Sequence, residues 1–280
     1  MAVYPFGRQI NLTTPWGKNP PVERVTVPLD ERHSSIHNAQ PLKLAPNEPP
    51  STCSRIPTRF QGQTIHGVQL PGYQKAIALT FDDGPWPNNT STVLGILQQH
   101  HVKATFFVLG SNVAQYPHLL QQIATAGHAV GNHSWSHGYQ DHSFELALTE
   151  IQQTTDIVEK YTGRKTVLFR PPGGFLDNGL VAQASIQKMV TVLWTIDDTY
   201  EGSVDLAVQN VIQNATSGGI VLMHDGGGNR DLMIEALPFV ISELKKQDYQ
   251  LVTIPQLLSL TETRVRSEDT INCKPHDHLN

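Results

Sequence analysis

The sequence predicts an α/β protein built as a closed or nearly closed (β/α) barrel of seven parallel strands. From Lys75 onward, short runs rich in β-branched and aromatic residues alternate with segments of helical periodicity. This alternation is typical of repeated βα units around a parallel sheet. The 280-residue chain is 39% hydrophobic and therefore long and apolar enough for one sizeable core. Seven strands are one fewer than the common barrel has.

Each predicted element rests on its own pattern. The predicted strands are the apolar runs 75–81, 104–108, 128–132, 167–170, 189–196, 219–224 and 249–253. The predicted helices are 90–101, 117–126, 143–161, 178–186, 204–215, 231–247 and 255–260. The long helix is the best marked, because Ser143 can cap its start and Gly163 can end it.

The regions outside the periodic core have a different composition. Residues 1–74 hold most of the prolines and are predicted to be an irregular extension or linker, while residues 263–280 form a polar tail. No stretch approaches the roughly 18 consecutive apolar residues of a membrane helix. The first residues also lack a signal-peptide pattern, which is weak evidence for the cytoplasm. The alternative is a leader or anchor that lies outside this chain.

Cys53 and Cys273 flank the periodic region, one on each side. A disulfide between them would tie the extension to the tail and would indicate an oxidising compartment. The alternative is two unrelated free thiols. Neither cysteine ends a predicted strand, and no Gly-x-Ser-x-Gly elbow occurs, so a covalent serine or cysteine mechanism has no candidate nucleophile.

The charge pattern argues against a nucleic-acid partner. The formal net charge is −5, and lysine and arginine form no cluster that would follow a phosphate backbone. Neutral or weakly charged polymers remain open as partners.

Polar residues follow the ends of several predicted strands. In a parallel barrel these ends open on one face, where catalytic groups lie. The residues are Asp82 and Asp83, His133 and His137, Arg170, Asp197, and His224. Each of these residues alone is also compatible with an ordinary turn. Only their expected position together, on the face where the strands end, indicates a site.

Two histidines and a carboxylate indicate a metal site. His133 and His137 can converge on one ion, and with a carboxylate they suit zinc or a similar divalent metal. Asp82 and Asp83 point in different directions as the chain leaves its strand, so one can bind the ion while the other acts as a base. The spacing alone leaves open which carboxylate does which.

Three further residues are placed to assist such a site. Arg170 could hold the free carboxylate in its charged form. The double glycine at Gly173 exposes backbone N–H groups of the kind that an oxyanion site needs. His224 is placed to act as an acid or as a further ligand.

Four motifs together resemble one known family. They are Thr80-Phe81-Asp82-Asp83-Gly84-Pro85, His133-Ser134-Trp135-Ser136-His137, Arg170-Pro171-Pro172-Gly173-Gly174 and Leu222-Met223-His224. In this order they resemble the motifs of the polysaccharide deacetylases, the NodB homology domain of carbohydrate esterase family 4. The resemblance covers about residues 75–260 and implies a distorted (β/α) barrel, with residues 75–262 as the catalytic domain.

The resemblance also implies a role for each matched residue. It makes Asp82 the general base, oriented by Arg170. The implied metal ligands are Asp83, His133 and His137.

At the other side of the site, the resemblance makes the Gly173 N–H an oxyanion donor and Leu222 a wall of the acetyl pocket. It makes His224 the acid that protonates the leaving amine.

One motif departs from the family pattern. The family has Asp-x-x-Asp-Trp where this chain has Asp197-Asp198-Thr199-Tyr200-Glu201. Asp197 fits, whereas Tyr200 and Glu201 stand where Asp and Trp are expected. We expect Tyr200 to supply an aromatic wall for the substrate and Asp198 or Glu201 to supply a carboxylate.

The predicted function is a hydrolase that uses one divalent ion, zinc first and cobalt, manganese or nickel as alternatives. Its predicted substrate is an N-acetylglucosamine-containing polysaccharide: peptidoglycan, chitin or poly-N-acetylglucosamine. Two alternatives remain: an O-acetyl xylan esterase with the same site, and a catalytically weakened carbohydrate-binding barrel. A polymeric substrate implies an extracellular or cell-envelope location, and a monomer is expected.

Overall fold

The chain folds into alternating strands and helices. The computed structural model describes residues 56–197 and 202–262, all within a compact unit that spans Ser51–Asn280. The strands are β1 Thr64–Ile65, β2 Ala76–Asp82, β3 Thr105–Val108, β4 Ala129–Asn132, β5 Leu168–Phe169, β6 Val190–Val192, β7 Gly219–His224 and β8 Gln250–Val252. The helices are α1 Asn89–Gln99, α2 Gly110–Gln115, α3 Pro117–Thr125, α4 Phe144–Thr162, α5 Leu180–Ile186, α6 Val204–Asn214, α7 Asp231–Lys246 and α8 Ile254–Ser259. Short 3-10 helices lie at Thr58–Phe60 and Pro172–Gly174.

All the strand pairs of the described sheet are parallel. The strand order is β1-β6-β5-β4-β3-β2-β7, and β8 pairs with the first half of β2. Just after β6, a parallel bridge joins Ile196 to Val221 of β7, at the far edge of the sheet. The sheet therefore curls into a distorted (β/α) barrel with helices on its outside.

The seven predicted strands and seven predicted helices are confirmed. Apart from the two short 3-10 helices, one strand and one α-helix were missed. Strand β1, within the range assigned to the extension, has only two residues, so it shows no alternation, and it is recognisable only because Thr64 and Ile65 pair with β6. Helix α2 has six residues and starts at Gly110 without a side-chain cap, so it carries none of the usual start signals.

The alternation of strand β2 decides which way the side chains at its carboxyl end face. Ile77, Leu79 and Phe81 pack with residues of the surrounding helices, whereas Ala76 and Ala78 pack with a second cluster that includes Phe107. Successive side chains of a strand point to opposite faces, so Asp82 shares the face of the two alanines. Burial of the three large side chains contributes roughly 1.5–3 kcal/mol each and holds this register.

Helix α4 is bounded as predicted. The Ser143 hydroxyl accepts a hydrogen bond from the Leu146 N–H at 3.3 Å, and Gly163 ends the helix with φ +71°. Among the described helices, α4 included, none is both long and apolar enough to cross a membrane.

Candidate metal centre and active site

The strand register brings the predicted residues to one rim. Asp82 is the register partner of His224 where β2 pairs with β7. The His133 N–H donates to the Val108 carbonyl at the end of β3, and the Arg170 N–H donates to the Asn132 carbonyl at the end of β4. Residues far apart in sequence thus meet because neighbouring strands end together.

Asp82 is held by a buried arginine. Arg170 Nη1 lies 2.8 Å from Asp82 Oδ1, and the Arg170 side chain is completely buried. The same Nη1 donates to the Thr80 hydroxyl at 2.8 Å, and Nε donates to the Val192 carbonyl at 2.9 Å. The guanidinium stacks 4.2 Å from the centre of the Phe107 ring. A planar fork bound on several sides leaves Asp82 one orientation.

Asp83, His133 and His137 form a cluster that fits a divalent metal. One ligand atom from each lies within 4.8 Å of the others. Asp83 Oδ1 is 3.4 Å from His133 Nε2 and 3.1 Å from His137 Nε2. This buried oxygen accepts no hydrogen bond among the described residues, as expected of an oxygen that binds a metal ion. Two imidazoles and one carboxylate suit zinc and leave coordination positions open.

The two histidines are oriented by their surroundings. His133 Nδ1 is 2.8 Å from the Arg170 carbonyl, so Nε2 turns toward Asp83. Glu150 of α4 accepts hydrogen bonds from the Trp135 and Ser136 N–H groups at 2.9 and 2.8 Å and so ties down the loop between the histidines. His137 itself has φ +61°, an unfavourable conformation that this loop imposes.

The pKa values of the cluster follow from burial and mutual charge. Burial favours the neutral form of Asp83, but the close Nε2 atoms of His133 and His137 and their charges outweigh it and hold its pKa well below the usual range. Burial lowers the pKa of His133, yet the charge of Asp82 and the close contact with Asp83 raise it overall. Asp83 is therefore ionised, and a cation that binds here would displace the proton that His133 shares with the two carboxylates.

The turn after Asp83 is packed against a buried acid. Asp225 lies so close beneath Gly84 that an added Cβ would be 2.4 Å from Asp225 Oδ2, and the Thr90 hydroxyl donates to that same oxygen. Burial, together with the charges of Asp83 and Asp82, raises the pKa of Asp225 to about 7. Gly84 is thus required by close approach and not only by the turn.

Exposed aromatic rings flank the cluster. The Tyr139 ring meets His137 edge-on with centroids 5.0 Å apart, and Phe175 meets Tyr139 in the same way at 5.8 Å. A Cβ on Gly173 would lie 2.8 Å from the Phe175 ring and 2.9 Å from the Tyr139 ring. The absence of a side chain at position 173 lets both rings lie close against the Gly173 backbone. We call Tyr139 and Phe175 the aromatic ledge.

The other side of the rim carries the remaining predicted residues. Leu222 is buried on β7, and its N–H donates to the Ile196 carbonyl at 2.8 Å. His224 ends β7 and is partly exposed, and Asp197 follows the bridge, with its carbonyl accepting from Asn210 Nδ2 at 2.8 Å. Tyr200 lies outside the described residues, as do Asp198, Glu201 and both cysteines.

Several residues of the site were missed from the sequence. They act through long-range contacts, such as the hydrogen bond at 2.7 Å from Asn112 Nδ2 to the Asp83 carbonyl and the Arg230–Asp83 pair at 3.5 Å. Nothing in the local pattern marks them. The aromatic ledge had a weak signal, because Tyr139 and Phe175 each follow a predicted motif by one or two positions.

Comparison with known proteins agrees with this geometry. The sequence model of the polysaccharide deacetylase family matches residues 70–205. The chain is 40% identical over 195 residues to a peptidoglycan-N-acetylglucosamine deacetylase of Bacillus cereus, which covers 68% of this chain and 91% of that protein. It is also 40% identical over 194 residues to the peptidoglycan-N-acetylmuramic acid deacetylase PdaC of Bacillus subtilis, covering 68% of this chain and only 40% of PdaC.

Solved structures show the same likeness. The Bc1960 peptidoglycan N-acetylglucosamine deacetylase superposes with a TM-score of 0.66 at 32% identity, covering 71% of this chain and 94% of that one. BA3943 of Bacillus anthracis, described as a pseudoenzyme of the CE4 family, superposes with a TM-score of 0.64 at 31% identity, covering 70% of this chain and 68% of that one. Both active and inactive proteins thus share this fold.

Proposed function

The chain belongs to the polysaccharide deacetylase family, and on this premise we propose that it is a metal-dependent hydrolase that removes N-acetyl groups from an N-acetylglucosamine-containing polysaccharide. Peptidoglycan, chitin and poly-N-acetylglucosamine are the candidate polymers. The observation that carries the proposal is the pairing of Asp82 with the fully buried Arg170, directly beside the Asp83, His133 and His137 cluster.

The cofactor proposed is one divalent ion, zinc first, with cobalt, manganese and nickel as alternatives. Asp83, His133 and His137 would hold it. When bound, such an ion polarises the acetamide carbonyl and lowers the pKa of water toward neutrality. Two observations support this assignment: Asp83 Oδ1 accepts no hydrogen bond among the described residues, and Nε2 of His133 faces Asp83.

Asp82 is proposed as the general base. Arg170 engages its Oδ1, while Oδ2 lies 3.6 Å from His133 Nε2, on the side of the metal ligands. A carboxylate with one oxygen occupied and the other facing the reaction centre can take a proton from the attacking water. The water oxygen then bonds to the acetamide carbon.

The Gly173 N–H is proposed to donate to the carbonyl oxygen as it becomes an oxyanion. The carbon–nitrogen bond breaks as His224 gives its proton to the leaving nitrogen. Acetate and the free amino sugar are the products, and the proton that Asp82 accepted from water balances the one that His224 donated.

The acetyl pocket is proposed to lie beside β7. Leu222 is assigned to its wall and Tyr200 to a further aromatic wall, while Asp197 is counted among the catalytic residues. The burial of Leu222 two positions before His224, on the same face of the strand, supports the first assignment.

The remaining features of the proposal concern the whole chain. We assign residues 75–262 to the catalytic domain, residues 1–74 to an extension whose strand β1 joins the sheet of that domain, and residues 263–280 to a tail. A polymeric substrate of the cell wall places the enzyme in the envelope or outside the cell. We propose that it acts as a monomer and binds no nucleic acid.

Acetate release from chitin oligomers, peptidoglycan and acetylated xylan tests the proposal. Zinc-loaded protein should release acetate from at least one N-acetylated substrate, and chelation should abolish this release. Release from xylan alone would replace the proposal with the O-acetyl esterase. Glycan binding with bound metal and no acetate from any substrate would identify a carbohydrate-binding barrel, as the likeness to a pseudoenzyme makes worth testing.

A further inference from the structure

The two oxygens of Asp83 face different partners. Oδ1 points at the Nε2 atoms of His137 and His133, at 3.1 and 3.4 Å. Oδ2 instead lies 3.5 Å from Nη2 of Arg230, in the loop between β7 and α7. Only 8% of Asp83 is exposed, so solvent does little to screen this second contact.

Arg230 is itself held in place. Its Nε donates to the Gly226 carbonyl at 2.6 Å, which fixes the plane of the guanidinium. About a quarter of the side chain is exposed, as its 25% relative accessibility indicates. The guanidinium therefore contacts Asp83 from the partly exposed β7–α7 loop and not from the buried core.

The glycines of this loop allow the close approach. A Cβ on Gly227 would lie 2.7 Å from Asp83 Oδ2 and 3.0 Å from Arg230 Nη2, and a Cβ on Gly226 would lie 2.1 Å from the Asp83 carbonyl oxygen. Gly227 also has φ +74°, which favours glycine. Asn89 Nδ2 anchors the loop from α1 by donating to the Gly228 carbonyl at 3.2 Å.

We propose that Arg230 is a positioning residue for the metal centre. Its guanidinium binds Oδ2 of Asp83, so that only Oδ1 is presented to the ion. The inference rests on the metal-dependent function proposed above. A carboxylate that chelates with both oxygens would occupy two coordination positions. With Oδ2 held by a guanidinium, Asp83 occupies one and leaves the others for water and substrate oxygens.

The arrangement has opposing physical effects, and their balance can be measured. A charge-assisted contact on Oδ2 restricts the rotation of Asp83 and so strengthens metal binding. The positive charge of Arg230 also repels a divalent cation and so weakens metal binding. The inference requires the orienting effect to be the larger of the two.

Zinc titration of the metal-free protein against a competing chelator tests the inference without any substrate. Arg230→Gln should weaken zinc binding by about 10–100-fold, as loss of an outer partner of a ligand typically does. Arg230→Lys keeps the charge but not the planar fork and should fall between this variant and the wild type. Arg164→Gln is the matched control, since Arg164 is exposed, and its affinity for zinc should not change.

A double-mutant cycle separates orientation of Asp83 from a general effect on the loop. If Arg230 acts through Asp83, Arg230→Gln should leave zinc affinity unchanged or slightly tighter in an Asp83→Asn background, where only the repulsion by Arg230 is removed. An equal loss in both backgrounds would overturn the inference. So would unchanged or tighter zinc binding by Arg230→Gln with the thermal midpoint of the metal-free protein retained.

Failure of the inference and failure of the proposed function are distinguishable. A wild-type protein that binds no zinc, cobalt, manganese or nickel overturns the metal-dependent function itself, and the inference with it. A wild type that binds zinc as tightly as both Arg230 variants overturns only the role of Arg230. If Arg230→Gln fails to fold, the lysine variant still decides the outcome, because wild-type zinc affinity in Arg230→Lys would exclude a need for the fork.

Discussion

His133 and His128 lie at opposite ends of strand β4, and their environments shift their pKa values in opposite directions. Both are almost completely buried, at 2% and 8% exposure. Burial lowers the pKa of His133, but the carboxylates Asp82 and Asp83 raise it above its ordinary value. Burial lowers the pKa of His128 to about 4, and the charge of Lys103 adds to this effect.

The difference teaches what each end of the barrel does. At the carboxyl end, charged groups are gathered and oriented, which costs stability and provides chemistry. At the amino end, His128 stays neutral, accepts a hydrogen bond from the Ala104 N–H at 3.0 Å and packs edge-on to Phe106 at 5.3 Å. One histidine serves the site and the other serves the fold.

The largest expected effect at the carboxyl end comes from Asp82, the proposed general base. Asp82→Asn should lower acetate release by about 10²–10⁴-fold, because general base catalysis typically contributes this much. Zinc affinity should change little, since the proposed ligands remain. An assay of released acetate measures the first effect, and zinc titration against a competing chelator measures the second. Turnover retained in this variant would remove Asp82 from the role of base.

Loss of a ligand should come next. His137→Ala should weaken zinc binding at least about 100-fold, more than loss of a typical outer partner, because it removes one of the three proposed protein ligands. Acetate release at limiting zinc should fall with it. His118→Ala, an exposed histidine of α3, is the control and should bind zinc as the wild type does. If the two variants bound zinc equally tightly, His137 would not be a metal ligand and the proposed metal site would be wrong.

The amino end should respond to pH through stability. Because the folded-state pKa of His128 is depressed from 6.5 to about 4, its stabilisation is complete above the unfolded-state value and is lost as pH falls toward 4. Between about pH 7 and about pH 4 the wild type should lose up to about 3 kcal/mol more than His128→Gln, at 1.36 kcal/mol per pKa unit.

Urea unfolding of metal-free protein at several pH values measures this difference, and the glutamine variant cancels the titration of all other groups. Acetate release at neutral pH should be nearly unchanged in folded His128→Gln. Parallel pH dependences of wild type and variant would show that His128 titrates normally, and the contrast between the two ends would then be lost.

The smallest expected effect concerns the aromatic ledge. Tyr139→Ala and Phe175→Ala should each raise KM for a polymeric substrate several-fold, with a loss on the order of 1 kcal/mol, because an exposed ring beside the reaction centre offers a face to a sugar. kcat should change less. Tyr73→Ala, fully exposed before β2, is the control. An unchanged KM in both ledge variants would show that the two rings only pack against Gly173 and do not bind the substrate.

Much of the fold and of the site could be predicted from local patterns. Asp82, Asp83, His133, His137 and Arg170 were predicted to meet because each follows a strand, and parallel strands end together. Their distances bear out this convergence. The catalytic roles assigned to them remain proposals, and the disulfide between Cys53 and Cys273 remains a prediction, because both cysteines lie outside the described residues.

What could not be predicted depends on contacts between distant segments. Glu150, Asn112 and Arg230 reach the loops of the ligands from α4, α2 and the β7–α7 loop, and none belongs to a pattern that the sequence displays. The ledge likewise required the loops after His137 and Arg170 to fold toward each other. Hydrogen bonding and packing across the rim, not periodicity, decide such contacts.

The sequence by itself determined the alternation of strands and helices and the residue types at the strand ends, because these follow from side-chain periodicity and turn chemistry. Only the tertiary structure decided how the carboxylates divide their contacts. Asp82 meets Arg170, while Asp83 turns one oxygen to the histidines and the other to Arg230. Asp83 makes these contacts with a φ of +69°, a conformation that residues other than glycine rarely adopt and that local sequence does not announce.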